Sequence, residues 1–183
     1  MCLRGNMIYF SSQHKVSEDK RFFEYSLAYL KASKEVCIRM LSGTEEQTPA
    51  NADVSMMLAA HATELFLKSS LVLKTDQTAW GHSIDELFSA YLAIYPEEEF
   101  YFACPFITEY LGFDEESTER FKNKLRKNKL KGYAEPSVKH RYPVHQVGIE
   151  WVGERAFEPK MFLETLVYLD SEFNRLVNLQ HNT

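Results

Sequence analysis

Apolar positions recur with helical spacing through most of the chain. Over residues 17–41, Phe23, Leu27, Leu30, Cys37 and Leu41 fall on one stripe, broadened by Phe22, Tyr25, Tyr29, Val36 and Met40. Lys20, Glu24, Lys31 and Lys34 take the opposite side. Ser17-Glu18-Asp19 supplies a capping hydroxyl and first-turn acids, and Gly43 ends the helix. Thr48-Pro49 has the cap-then-proline order that opens a second helix, predicted to run to about Lys74. Between Val54 and Leu73 its only charged residues are Glu64 and Lys68. A helix apolar nearly all round is buried from several sides, so this one is predicted to be central.

Trp80-Gly81-His82-Ser83 interrupts the pattern and opens a third helix over about residues 83–95, with Ile84, Leu87, Phe88, Tyr91 and Leu92 as its apolar face. Pro96 closes it, and helical spacing resumes over residues 97–111 with a break or kink at Pro105. Residues 115–130 read as a short, very polar helix. Gly132, Pro136, Pro143, Gly148 and Gly153 then rule out a continuous helix, leaving a long irregular loop over residues 131–157 with an extended piece near 148–152. The last helix opens at Glu158-Pro159 and carries a seam of Phe162, Leu166, Leu169, Phe173 and Leu176. The expectation is an all-α, up-and-down helical bundle, one domain over residues 1–183 with 1–16 as a flexible N-terminal segment.

Composition agrees with helices: 7 glycines and 6 prolines in 183 residues are too few for a strand-and-turn architecture. No run reaches the roughly 18 apolar residues of a membrane span, and the N-terminus has no apolar core of a signal peptide. Three cysteines at positions 2, 37 and 104, without a CxxC pair, read as free thiols in a reducing, cytoplasmic setting, Cys37 and Cys104 behaving as small core residues. Phosphate-binding, dinucleotide-binding, zinc-protease, serine-hydrolase and EF-hand motifs are missing, and no histidine pair has a helical ligand spacing, so neither metal nor cofactor is expected.

The net charge of −5 argues against a polyanion partner until its distribution is read. Residues 120–141 hold nine basic side chains against Glu135 alone, a net +8 that leaves −13 on the rest. Such a strip is either an electrostatic footprint for nucleic acid or a solvated helix face. Lys124, Arg126, Lys127, Lys129 and Lys139 are its candidate RNA or anion contacts.

Two further sets of residues carry candidate chemistry. His61, Glu64 and Lys68 share one face of the central helix. Buried charges need partners, so they form either an internal ion pair, completed by an arginine of a neighbouring helix, or the wall of a polar cavity or subunit interface. The loop brings Lys139, His140, Arg141, Tyr142 and His145 within seven residues. Arginine forks a phosphate and histidine moves protons near neutral pH, which is the minimum set for metal-independent RNA cleavage. The bland alternative is a loop tethered by Tyr142 and Pro143 with exposed histidines.

The helix AAHATELFLKSSLVLK followed by WGHSIDELFSAY resembles the core of the HEPN superfamily, with Glu64, Leu67, Lys68, Gly81, His82 and Leu87 on its pattern. The likeness covers about 35 residues, and it places His61, Glu64, Lys68 and His82 as supporting polar residues. It implies a bundle of four or more helices that homodimerises and acts on RNA or nucleotides. In many members that action is metal-independent ribonuclease activity in toxin–antitoxin, defence or RNA-processing systems. The family motif is arginine followed after four to six residues by histidine on a helix. Here Arg141-Tyr-Pro-Val-His145 has three residues between, with Pro143 inside. On this resemblance Arg141 holds the phosphate and His145 or His140 is the acid/base. Members without the motif imply the other class, a non-catalytic module whose partner is a protein such as a nucleotidyltransferase-like chain.

Overall fold

The computed structural model describes residues 16–77, 81–107, 116, 119, 120, 123 and 156–182, and among these it is all helix and connector, with no strand. Four helices organise it: α1 (Glu18–Ser42), α2 (Pro49–Thr75), α3 (Ile84–Ile94) and α4 (Pro159–Gln180), with short 3₁₀ turns at Thr44–Glu46 and Glu98–Phe100. The caps follow from the sequence. Thr48 Oγ1 accepts the Asn51 amide at 3.2 Å with Pro49 at the first helical position, and Ser83 Oγ accepts the Glu86 amide at 3.4 Å. Glu158 caps α4 by accepting from the Lys160 and Met161 amides. Ser17 holds the cap position of α1, but its side chain makes no capping hydrogen bond.

Helix α2 is the centre, packed against α1, α3 and α4, and every residue from 62 to 70 is buried. Its length and apolar composition would let it cross a bilayer, yet here most of it is covered by the other helices. Helices α1 and α2 run antiparallel: Ser33 Oγ donates to the Ser55 carbonyl at 2.8 Å, and Ser69 Oγ donates to the Asp19 carbonyl at 2.8 Å. The contacts Phe66–Phe173 and Ser70–Gln180 place α4 alongside α2 in the same direction. Helix α3 departs from a strict up-and-down order. His82, just before it, lies at Glu64, and Tyr95, just after it, reaches the Ser70 carbonyl, so α3 crosses α2 obliquely.

Two expectations are corrected. The buried face of α1 is Ser26, Leu30, Ser33, Val36, Cys37 and Met40, whereas Tyr25 and Leu41 are 49% and 45% exposed. Small side chains let α1 and α2 approach closely, so serine and cysteine occupy the centre of the contact and the larger residues flank it. The hydroxyls are satisfied there: Ser33 and Ser55 share a 2.9 Å hydrogen bond, with Cys37 Sγ 3.1 Å from Ser55 Oγ.

Residues 97–111 were expected to be helical. As far as they are described they form one 3₁₀ turn and then an extended run to Cys104, followed by a turn at Pro105-Phe106. Phe100, Phe102, Cys104 and Phe106 point inward while Tyr101, Ala103 and Pro105 are exposed. Side chains from the helices satisfy this backbone: Tyr91 Oη donates to the Phe100 carbonyl at 2.7 Å, Arg175 Nη2 to that of Tyr101 at 3.1 Å, and Tyr168 Oη accepts the Ala103 amide at 2.8 Å.

The expected polar helix at 115–130 is helical at Glu116, Glu119, Arg120 and Asn123, and its other positions lie outside the described residues. So do the loop over 131–155 and the N-terminal residues 1–15. Cys37 and Cys104 are buried free thiols, as expected. Burial pushes the Cys104 thiol up to about 11, which keeps it protonated and inert.

Candidate functional site

Four of the candidate polar side chains, His61, Glu64, Lys68 and His82, converge at the junction of α1, α2 and the turn into α3. Helical spacing puts His61, Glu64 and Lys68 on one face of α2. The chain then returns through Gly81, whose φ of +108° is a conformation that L side chains rarely adopt, and this turn brings His82 back over α2. His61, Lys68 and His82 all meet on the Glu64 carboxylate. Glu64 Oε1 accepts from Lys68 Nζ at 3.0 Å and lies 2.9 Å from His82 Nδ1, and Glu64 Oε2 lies 3.4 Å from His61 Nδ1.

Burial grades steeply across the cluster. The side chain of Glu64 is 2% exposed and that of Lys68 10%, against 29% for His61 and 73% for His82. Glu64 and Lys68 are therefore the buried base of the site and the imidazoles its solvent-facing rim. The Tyr29 ring of α1 packs edge-on against His61 with centroids 4.6 Å apart, fixing that imidazole from the other side. Burial pushes the Glu64 carboxyl up, but the hydrogen bonds from His61, Lys68 and His82 and the Lys68 charge outweigh it and hold it at about 2. The carboxylate is thus ionised at neutral pH and matched by the Lys68 ammonium.

Glu64 and Lys68 form an internal ion pair, and among the described residues the partner from beyond α2 is His82 rather than an arginine of a neighbouring helix. Tyr29 joins the site from α1; its position on the apolar stripe of that helix gave no sign of it, because the contact is interhelical. Among the described residues no group of histidine, cysteine or carboxylate side chains could hold a metal ion. The Lys68 ammonium on Oε1 makes the cluster unsuitable for one. A cleft of about 650 Å³ lies elsewhere, between Met40, Thr48, Ala52, Met56 and Phe157, and does not include the cluster.

The remaining candidates, Arg141, His145, His140, Lys124, Arg126, Lys127, Lys129 and Lys139, lie outside the described residues. Arg120, the first residue of the basic strip, is helical and exposed and donates to Glu116 at 2.7 Å one turn earlier, so its charge is locally paired.

Gly81 sets the approach of His82, which gives a direct test of the turn. A Cβ on Gly81 would meet nothing within 4 Å, so Gly81→Ala adds no clash and only the backbone conformation resists it. The expected cost is about 1–3 kcal/mol, read from the urea midpoint of the variant. An unchanged midpoint would mean that the turn relaxes and that His82 is not held by it. No protein-family model, curated protein or solved structure matches the chain.

Proposed function

We propose that the chain is a HEPN-like bundle that works as a cytoplasmic homodimer on RNA or nucleotides and cuts RNA without a metal, in a toxin–antitoxin or defence type of system. The observation that supports this reading is the cluster itself. Glu64, Lys68 and His82, which carry much of the resemblance across 18 residues of sequence, meet as one hydrogen-bonded group rather than as scattered surface residues. In this reading the basic strip steers the polyanion, Arg141 holds a phosphate, and His145 or His140 transfers a proton.

The test has two parts. RNA retention is expected to fall steeply with salt and to weaken on charge reversal at Lys124 and Lys127. Cleavage is expected to survive EDTA and to disappear in Arg141→Ala and His145→Ala proteins purified identically. Retention that is indifferent to salt, or cleavage equal in all three samples, would overturn the reading.

The exposed apolar side chains of α4 favour a second reading. Met161 and Val167 are 67% and 56% exposed on that helix, with Tyr168 beside them at 39%. Such a surface suits a protein partner, and the alternative is a non-catalytic interaction module for another chain, such as a nucleotidyltransferase-like protein. Salt-insensitive association with a protein, without RNA retention, distinguishes it.

A further inference from the structure

Residues 100–107, FYFACPFI, hold no charged and no amide side chain, yet the segment has one face at the surface. Its inward row, Phe100, Phe102, Cys104 and Phe106, belongs to the core. Burial explains that row. It does not explain the outward one, since a half-buried extended segment ordinarily alternates apolar with polar residues. Here Tyr101, Ala103 and Pro105 face outward and are exposed. A short run that is apolar on both faces, one of them open to water, is an association hazard unless something covers it.

Helix α4 continues the outward row. Met161, Tyr168 and Arg175 follow one another at intervals of seven residues and so lie on one face of the helix. Tyr168 Oη accepts the Ala103 amide at 2.8 Å and Arg175 Nη2 donates to the Tyr101 carbonyl at 3.1 Å, which sets the extended segment antiparallel to this face. Tyr101, Met161 and Tyr168 are 55%, 67% and 39% exposed. From Met161 to Arg175 the strip is about 21 Å long. Carboxylates edge it. Glu97, Glu98 and Glu99 are exposed at the Tyr101 end, and Glu164 is exposed between Met161 and Tyr168. The Arg175 guanidinium is already paired with Glu172, and Lys160 lies about 100° round the helix from Met161, off the strip.

We infer that this strip docks an amphipathic helix of a partner protein, about four turns long, whose apolar face is flanked by lysine or arginine. The inference rests on the second reading above for the existence of a protein partner, and names the surface and the chemistry that recognise it. A strand is not the occupant. The carbonyls of Phe100 and Tyr101 and the amide of Ala103 are bonded to Tyr91, Arg175 and Tyr168, so the segment does not offer the unbroken row of backbone groups that strand addition uses. A second copy of the chain is disfavoured by charge. A twofold contact sets the same patch on both sides and would bring the acids of one rim against those of the other. A basic flank meets the rim with opposite charge. The apolar face carries most of the affinity, so added salt changes the association little beside the steep loss expected of RNA retention.

The experiment titrates the full chain into two fluorescein-labelled amphipathic helical peptides, one of leucine and lysine and one of leucine and glutamate in the same pattern, and reads anisotropy. The lysine peptide should bind and the glutamate peptide should not. Met161→Lys, alone and together with Tyr101→Lys, should weaken the lysine peptide at least about tenfold, with the thermal midpoint of unfolding unchanged. Val167→Lys, at an exposed apolar position on another side of α4, should leave binding unchanged. Binding of the glutamate peptide as well, or lysine-peptide binding that Met161→Lys leaves intact, would overturn the inference and leave a protein partner standing. Binding of neither peptide would overturn both. Sedimentation velocity of wild type and Met161→Lys tests the other occupant: a dimer lost in the variant would assign the strip to a second copy and overturn the inference.

Discussion

Phe66→Ala is expected to lower stability by about 3–5 kcal/mol, the cost of deleting a large ring from a packed interior. Phe66 is fully buried on α2 and is the ring through which three other parts of the chain meet. It stacks on Phe173 of α4 with centroids 4.1 Å apart and planes 3° from parallel. Phe102 of the extended segment meets it edge-on at 5.7 Å, and Tyr91 of α3 lies 6.4 Å away. Truncation would leave these rings facing a void, and Phe173 and Phe102 also contact each other at 6.0 Å, which limits how far either can move in. For a chain of this size the midpoint of thermal unfolding should fall by roughly 10 °C. Phe66→Leu, which keeps most of the volume, should cost clearly less. A loss under about 1 kcal/mol for the alanine variant would mean that the cluster repacks, and the ring would not be its junction.

That junction also shows where the sequence was readable and where it was not. Helices α1, α2, α3 and α4 were predicted within a residue or two, because caps such as Thr48-Pro49 and Ser83 and the seam from Leu166 to Leu176 are local signals. The centrality of α2 followed from its having only two charges over twenty residues. The segment after Pro96 was misread because both of its faces are apolar in sequence. Phe100, Phe102, Cys104 and Phe106 alternate with Tyr101, Ala103 and Pro105, and no polar residue marks the period of two. Its backbone partners, Arg175 and Tyr168, lie about seventy residues away, beyond the reach of any local pattern. The serine face of α1 was missed for a related reason. Hydrophobic spacing finds large side chains, whereas close helix approach selects small ones.

The site was half legible by the same argument. The i, i+3 and i+7 spacing of His61, Glu64 and Lys68 placed them on one face from sequence alone. Nothing local told that His82 would close on Glu64, since this depends on the turn at Gly81 and on the oblique path of α3; the family resemblance was the only indication. Tyr29 came into contact through the pairing of α1 with α2, which spacing within one helix does not reveal.

Glu64→Ala should be as damaging as the loss of Phe66, at about 3–5 kcal/mol, for an electrostatic reason. The change removes the only partner that Lys68, a side chain 10% exposed, has among the described residues, and it releases His61 and His82. The cost is mainly that of the orphaned cation, so it should be partly recovered by removing the cation as well. Glu64→Ala with Lys68→Met should be more stable than Glu64→Ala alone, a sign that a simple packing defect would not give. The carboxylate also predicts a pH dependence. Its folded value of about 2 lies below its ordinary 4.5, so the folded state favours the ionised form. The corresponding stabilisation, on the order of 3 kcal/mol, is fully present above pH 4.5 and is lost as pH falls towards 2. Urea unfolding of wild type and Glu64→Gln between neutral pH and pH 3 should therefore show a gap that narrows only below about pH 4.5. A gap constant across that range would mean that the charge on Glu64 contributes nothing to folding. The cluster would then be held by its hydrogen bonds and packing alone.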